Sequence, residues 1–470
     1  MTQLDERLAR GRAAANATPL AAHGIWEAPP DRPDPVSLLE AQDATREPDL
    51  VPVRHGRMLV SPFTFYRGTA KIMASDLAGT PVSGLDAQLC GDAHLSNFGL
   101  FASPERTLLF DLNDFDETLP GPFEYDVKRM AASFLIAGRN NEFSHADALA
   151  VAVESAAAYR EAMAEFARMR TMDVWYARLD ESELRNAVEG EESTKDKKVR
   201  KEFKAAEKTA TKTAAKARTR DSTQALAKLG ELVDGRYRIV SKPPLIVPER
   251  ELKALYGFGP ETVTAVVNEQ FKAYRETLPD DRRQLLDRFR IVDTARKVVG
   301  VGSVGTRAFI VLLQGRDADD PLFLQIKEAM ASVLEDHLPP SRYPRHGERV
   351  VRGQRMMQAA SDIFLGWTTG LDVNRHYYWR QLRDMKGSAI IENMVPFGMS
   401  LYARICGWTL ARAHARSGDP VAIAAYLGTS DAFDKAIGTF SRAYADQTEH
   451  DYRAFSAAIA SGRLQAVEGI

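Results

Sequence analysis

The segment LCGDAHLSNFG, followed closely by TLLFDLNDFDE, constrains this 470-residue chain more than any other feature. Asp92 and Asn97 lie five residues apart in a predicted tight loop, and a short apolar strand then leads to Asp111, Asp114 and Asp116. Phosphoryl transfer needs one carboxylate to orient the attacking hydroxyl, and an amide oxygen and a second carboxylate to hold magnesium. Its loosely bonded transition state is stabilised mainly by position and charge. The two segments therefore predict a phosphoryl-transfer site.

The pattern D-x-H-x-x-N followed by a strand ending in aspartate resembles the catalytic loop and metal-binding segment of the aminoglycoside phosphotransferases. It also resembles, more distantly, the protein kinases. The resemblance implies that Asp92 is the catalytic base, that His94 is the loop histidine of the aminoglycoside branch, and that Asn97 is a metal-binding amide.

Two aspartates compete for the remaining metal-binding role. We prefer Asp114, because its interval to Asp126 resembles the spacing from the metal-binding aspartate to a helix-anchoring aspartate in these families. Asp111 lies three residues earlier in the chain and remains the alternative ligand.

A glycine-rich segment, GVGSVG at residues 300–305, precedes the strand-like TRAFIVLLQG. A dinucleotide-binding segment of this kind needs a helix directly after the glycines, so we predict a turn between two strands instead. Such a turn resembles the kinase loop that covers nucleotide phosphates. The resemblance implies that Gly300, Gly302, Ser303 and Gly305 contact the nucleotide.

Lys327 lies within the apolar strand LFLQIKEA, 22 residues after Gly305. A buried ammonium needs an anion, since burying it unpaired costs several kcal/mol. The resemblance implies that Lys327 binds the first two phosphates of ATP and pairs with a helix glutamate. Glu335 and Glu348 are both candidates for that glutamate.

These segments occur in the reverse of the kinase order, because the glycine turn and lysine follow the catalytic loop. We therefore predict an α+β, kinase-like two-lobed fold that is circularly permuted, which is permissible where chain termini lie close together. The predicted units are an extended arm (1–50), a catalytic helical lobe (51–285), a β-rich nucleotide lobe (286–385) with a hinge near 378–382, and a C-terminal helical segment (386–470).

Within these units, apolar spacing predicts strands between residues 57 and 122 and helices after Pro122. Three consecutive antiparallel strands are predicted from residue 288, then a second strand pair around GLDVNR, and a helical tail from residue 400 to 464.

Over nearly its full length the chain resembles an uncharacterised bacterial family that is classed as a domain of unknown function and thought to be kinase-like. The segments that carry the resemblance are SPFTFYRGTA, LCGDAHLSNFG, FDLNDFDE, VVGVGSVGTR, LQIKEA, GWTLARAHARSGD and YADQTEHDY.

Composition limits where the protein acts and what it binds. A net charge of -2 provides no overall field for nucleic acid or anionic lipid. Two cysteines suit a reducing compartment, and neither a secretory signal nor a membrane span is evident, so we expect a cytoplasmic protein with no membrane partner. Only the basic segment 193–220 offers a nucleic-acid or anion contact, and we prefer to interpret it as a solvated insertion.

The sequence thus predicts an ATP- and Mg²⁺-dependent phosphotransferase that acts on an unidentified hydroxyl-bearing acceptor. One alternative is a pseudokinase-type nucleotide binder or scaffold. A metal-dependent phosphoesterase using Asp92 and His94 is less favoured, because the further histidine and asparagine ligands that it needs are missing from the sequence.

Overall fold

The computed structural model describes residues 2–184, 197–252, 260–298, 300–382 and 384–469. Within these ranges the chain is mixed α+β and its sheets are antiparallel, as the sequence predicted. Residues 193–196 of the predicted basic insertion, and Val299 beside the glycine-rich segment, lie outside the described residues.

The helices of the described ranges are α1 (Gln3–Ala17), α2 (Pro35–Asp43), α3 (Val51–Leu59), α4 (Pro62–Tyr66), α5 (Ala70–Leu77), α6 (Phe123–Asn140), α7 (His145–Phe166), α8 (Thr171–Tyr176), α9 (Lys197–Arg218), α10 (Ser222–Leu229), α11 (Pro260–Arg275), α12 (Asp280–Leu286), α13 (His346–Met357), α14 (Pro396–Ser417), α15 (Pro420–Leu427) and α16 (Ala432–Ala460). The strands are β1 (Asp86–Leu89), β2 (Phe98–Ala102), β3 (Leu108–Leu112), β4 (Leu119–Pro122), β5 (Leu179–Asp180), β6 (Gly230–Val233), β7 (Arg236–Ile239), β8 (Ile246–Pro248), β9 (Arg290–Lys297), β10 (Ala308–Gln314), β11 (Pro321–Ala329), β12 (Gly366–Thr369) and β13 (His376–Gln381).

The N-terminal quarter is more helical than its sequence predicted. The expected extended arm contains α1 and α2, and α1 packs against α15. The expected strand FTFYRG lies in and after α4, where Ser61 and Thr64 form a capping box and Pro62 occupies the first turn. A capping box satisfies the free N–H groups at a helix start, and this local signal outweighs the β-preference of the aromatic residues.

The helical body surrounds the largest apolar core. Helices α6, α7, α14 and α16 pack on one another, and α6 is buried on almost every side. The predicted helices after Pro122 and in the C-terminal tail are confirmed. Two small sheets, β1–β4 and β2–β3–β5, lie against this body and carry the loop that contains Asp92.

A six-stranded antiparallel sheet, in the order β12-β13-β11-β10-β9-β8, forms the second layer. Its middle strands are apolar on both faces: Val311 and Leu313 pack toward α11 and α12, whereas Ile310 and Leu312 pack toward α10. Alternation of side chains along a strand explains this division. The predicted three-strand meander and the later strand pair are both confirmed.

The basic segment forms α9, which packs on α14 through Ala214 and Ala217. Four lysines at four-residue spacing are exposed along this helix: Lys204, Lys208, Lys212 and Lys216. An exposed stripe of this kind agrees with the preferred interpretation of a solvated face. None of the helices in the described ranges combines the length and apolar character that a membrane crossing requires.

Candidate active site

The loop after β1 is held in shape by a glycine and by α6. Gly91 has a φ of +81°, and a Cβ at this position would lie 2.3 Å from the carbonyl oxygen of Glu117. Asp126 in α6 accepts hydrogen bonds from the backbone N–H groups of Cys90 (2.8 Å) and Gly91 (3.0 Å). This helix aspartate therefore anchors the loop that presents Asp92.

Asp92 lies at the mouth of this loop, paired with Arg129 of α6. The Arg129 Nε donates to Asp92 Oδ1 at 2.8 Å, and its guanidinium stacks on the ring of Tyr66 at 3.9 Å. Burial raises the pKa of Asp92, and the charge of Arg129 opposes that rise. Because Arg129 occupies Oδ1, the second carboxylate oxygen remains available to a substrate hydroxyl.

His94 and Asn97 lie beside Asp92. Burial lowers the pKa of His94 well below its usual value, with a further contribution from the charge of Arg67, so the imidazole is neutral. The His94 Nε2 lies 3.7 Å from Asp92 Oδ2. The Asn97 side-chain nitrogen donates to the Asp92 carbonyl oxygen at 2.8 Å, which leaves the Asn97 amide oxygen for another partner.

The two candidate metal-binding aspartates have different surroundings. Asp111 is 1% exposed, forms an ion pair with Arg412 of α14, and accepts a hydrogen bond from the backbone of Ala359 at 2.8 Å. The Asp114 side chain is 33% exposed and lines the cleft described below. Of the two, the structure brings Asp114 to the other predicted site residues, whereas Asp111 joins α14 to β3.

We expect Asp111→Ala to lower the free energy of unfolding by about 3–5 kcal/mol, because it leaves Arg412 buried without its counter-charge. Asp114→Ala, which removes a solvent-accessible carboxylate, is the control and should change stability by less than about 1 kcal/mol. Urea denaturation monitored by circular dichroism measures both. Similar losses for the two variants would contradict the structural role assigned to Asp111.

Lys327 is buried in β11 and faces the acidic end of β3. Its Nζ lies 2.5 Å from Asp116 Oδ2 and 3.8 Å from Asp114 Oδ1. Tyr378, opposite Lys327 on β13, donates its hydroxyl to Asp116 Oδ1 at 2.7 Å. Burial alone would lower the pKa of Lys327, but the charges of Asp114 and Asp116 outweigh burial and raise it.

The two predicted glutamate partners of Lys327 lie elsewhere. Glu335 is 3.7 Å from Arg349, and Glu348 lies 3.3 Å from Arg352 on the same face of α13. Neither forms an ion pair with Lys327 in the described part of the chain, so the predicted pairing is wrong. The aspartates that follow β3 neutralise the lysine instead.

Asp116 is the main site residue to which the sequence prediction gave no role. It lies in the same NDFDE segment as Asp114, two residues further on. Burial would raise the pKa of Asp116, but the charge and hydrogen bond of Lys327 outweigh burial and lower it. The sequence signal for such a residue is the strand lysine Lys327, since a buried ammonium needs an anion.

The glycine turn joins β9 to β10 and lies over these acidic residues. Gly300 and Gly305 have φ values of +67° and +91°, which favour glycine. The Ser303 hydroxyl lies 3.4 Å from Asp116 Oδ2. A Cβ on Gly302 would come within 3.2 Å of the Arg67 carbonyl oxygen, so the turn also contacts the segment after α4.

A single cleft lies between the glycine turn and the Asp92 loop and encloses about 860 Å³, including its part open to solvent. The predicted site residues that line it are Asp92, His94, Asn97, Asp114, Gly300, Gly302 and Ser303. Lys327 lies directly behind Asp116, which also lines the cleft, and Gly305 lies at the end of the turn against Arg46. Two segments some two hundred residues apart in sequence therefore meet at one surface.

A comparison with known protein families finds a match over most of the chain. The family described as "Uncharacterized protein conserved in bacteria (DUF2252)" matches residues 46–458. The chain belongs to this family. The region assigned to DUF2252 includes both the Asp92 loop and the glycine turn, and every residue that lines the cleft except Gln42 lies within it. Comparisons with curated proteins and with solved structures gave no match.

Proposed function

We propose that this protein is a phosphotransferase that moves the γ-phosphoryl group of Mg²⁺-bound ATP to a hydroxyl-bearing acceptor. The observation that carries the proposal is the convergence of the glycine turn, Asp114 and Asp92 on one cleft, with Lys327 directly behind Asp116 in its wall. This combination supplies phosphate-binding amides, a cation, a metal ligand and a base, the parts that phosphoryl transfer requires.

The permuted kinase-like fold is part of the same proposal. The glycine turn is followed by β10 and then by β11, which carries Lys327, so the lysine occupies the third strand of a meander, as in kinases. The Asp92 loop comes from the helical body earlier in the chain. On this interpretation, the sheet and the helical body are the two lobes that enclose the nucleotide.

The donor groups in the cleft suit magnesium. Mg²⁺ favours oxygen ligands and is usually bound by one or two carboxylates together with substrate phosphates and water. The Asp114 carboxylate and the Asn97 amide oxygen are two such oxygen ligands, and both residues line the cleft. No group of three or more His, Cys, Asp or Glu side chains within the described ranges is placed to hold a metal, so the phosphates would complete the coordination.

When bound, Mg²⁺ neutralises charge on the phosphate oxygens. The protein's own residues bind the phosphates and accept the proton. Lys327 binds the α- and β-phosphates, and the backbone of the glycine turn covers them. Asp92 Oδ2 accepts the proton of the acceptor hydroxyl while the acceptor oxygen bonds to the γ-phosphorus, and the bond from that phosphorus to the bridging oxygen breaks to release ADP. Arg129 keeps the Asp92 carboxylate oriented for this step.

Mg²⁺-dependent nucleotide binding is the first test. A ligand that binds only the folded state stabilises it by RT ln(1 + [L]/Kd), about 2.7 kcal/mol at one hundred times Kd. We expect millimolar ATP with Mg²⁺ to raise the melting temperature of the wild type. Asp114→Ala should abolish the part of this shift that requires Mg²⁺.

The same measurement separates the alternatives. A melting-temperature shift with ATP, without any production of ADP when hydroxyl-bearing acceptors are added, would favour the pseudokinase-type nucleotide binder. The absence of any shift at millimolar ATP would contradict the proposed function, and a shift that ignores Asp114 would contradict the assigned magnesium ligand.

A further inference from the structure

The cleft contains one arginine whose guanidinium is in direct contact with no carboxylate of the described residues. Arg67 follows α4 and lines the cleft, and its guanidinium makes no hydrogen bond or ion pair with any described residue. Its Nε is buried without a hydrogen-bond partner. Its nearest ring contact, with Phe63, is distant, at 6.0 Å from the ring centroid.

The fully buried arginines in the described part of the chain, unlike the half-buried Arg67, are neutralised. Three of them pair with carboxylates: Arg54 with Asp43, Arg129 with Asp92 and Arg412 with Asp111. A buried cation without a counter-charge is destabilising, so such groups are usually paired unless a ligand provides the partner. Arg67 is half-buried and its buried Nε lacks a hydrogen-bond partner, so an anion in the cleft would supply the missing contact.

Arg46, the second arginine of the cleft wall, has a different role. Its Nη1 donates to the Val304 carbonyl oxygen at 2.5 Å, and its Nε lies 3.8 Å from Asp43. These contacts hold the glycine turn. Of these two arginines, Arg67 is the one available to bind a ligand.

Arg67 lies on the acceptor side of the proposed transfer site. Its charge contributes to lowering the pKa of His94, and the carboxylates whose charges act on Arg67 are Glu392 and Asp92. The nucleotide side has its own cation in Lys327, which is neutralised by Asp114 and Asp116. Arg129, which donates to Asp92, also donates at 2.8 Å to the carbonyl oxygen of Tyr66, the residue before Arg67, so an anion bound by Arg67 would lie next to the base.

We propose that the acceptor carries an oxyanion, a phosphate or a carboxylate, and that Arg67 binds this group while Asp92 orients the acceptor hydroxyl. The planar fork of a guanidinium fits two oxygens of either group. This inference rests on the proposed phosphotransferase function and narrows its substrate class to anionic hydroxyl compounds. It disfavours polycationic acceptors such as aminoglycosides, since Arg67 would repel them.

Calorimetric titration tests this proposal with inorganic phosphate and acetate as probes and AMPPNP, a non-hydrolysable ATP analogue, as the nucleotide. We expect at least one probe to bind the protein saturated with Mg²⁺ and AMPPNP, and the stronger probe identifies the kind of anion. Arg67→Gln should weaken that binding at least about tenfold and Arg67→Lys by less, because lysine keeps the charge but loses the fork. AMPPNP affinity should stay within about twofold. Arg170→Gln, at a highly exposed arginine, is the matched control and should change nothing.

Two results would overturn the proposal. Equal probe binding by the wild type and Arg67→Gln would remove Arg67 from the anion site. Loss of AMPPNP affinity in Arg67→Gln, with no probe bound to the loaded wild type, would assign Arg67 to the nucleotide. Failure of AMPPNP to bind any variant would instead refute the proposed function, and titration of the free protein with the same probes would still decide whether Arg67 is an anion site.

Discussion

Asp92→Asn is expected to slow phosphoryl transfer about 10²- to 10⁴-fold while leaving the affinity for Mg²⁺ and ATP within about twofold. That range is the usual contribution of a positioned general base. Asparagine keeps the shape of the side chain and its contact with Arg129 but cannot take the acceptor proton. Single-turnover kinetics and calorimetry with AMPPNP measure the two effects separately.

Acidity gives this prediction a second readout. Because burial raises the pKa of Asp92, the wild-type rate should fall as the pH drops through that raised value, where the base becomes protonated. The residual rate of Asp92→Asn should lack this fall. Asp86→Asn, at an exposed aspartate of β1, is the control and should retain the wild-type rate and profile. A rate for Asp92→Asn close to that of the wild type would remove Asp92 from the chemistry.

Lys327→Met is expected to weaken binding of Mg²⁺ and ATP by roughly 10- to 100-fold, the effect of losing a charge-assisted hydrogen bond to phosphate. The same change should lower the free energy of unfolding by about 3–5 kcal/mol, because it leaves the buried Asp116 carboxylate without its cation. Calorimetry and urea denaturation give the two values.

A double variant separates these effects. Lys327→Met combined with Asp116→Asn removes both charges of the pair, so stability should largely return, since neither charge is left buried alone. Nucleotide affinity should remain low in the double variant, because the phosphate-binding cation is still missing. Recovery of nucleotide binding together with stability would show that Lys327 serves the fold and not the nucleotide. Lys212→Met, at an exposed lysine of α9, controls for general effects of the substitution.

The strands and the long helices could be predicted because their signals are local. Residues 308–313 form a continuous apolar run, residues 321–329 form a strand-like segment that is mainly apolar, and the segment after Pro122 has apolar residues at helical spacing. Helix α4 was missed because its aromatic residues favour a strand, whereas the Ser61 and Thr64 capping box decides the local structure.

The site was only partly accessible from sequence because its partners are distant in the chain. The aspartates were found from their spacing, but the pairing of Lys327 with Asp116, 211 residues away, depends on how the sheet meets the helical body. For the same reason, sequence spacing left Asp111 and Asp114 as alternatives: only tertiary packing shows Arg412 beside Asp111. Arg129 follows Asp126 on α6, and only tertiary packing shows that it supports Asp92.

The central claim is that segments from two distant parts of the chain build one pocket for magnesium and a triphosphate. A crystal structure with Mn²⁺ and AMPPNP tests it most directly, because Mn²⁺ takes the same oxygen ligands and can be located by its anomalous scattering. We predict a metal peak about 2.0–2.3 Å from an Asp114 oxygen and the Asn97 amide oxygen, with the phosphates beneath residues 300–305. Nucleotide bound at another surface, or an empty cleft at saturating AMPPNP, would contradict the account.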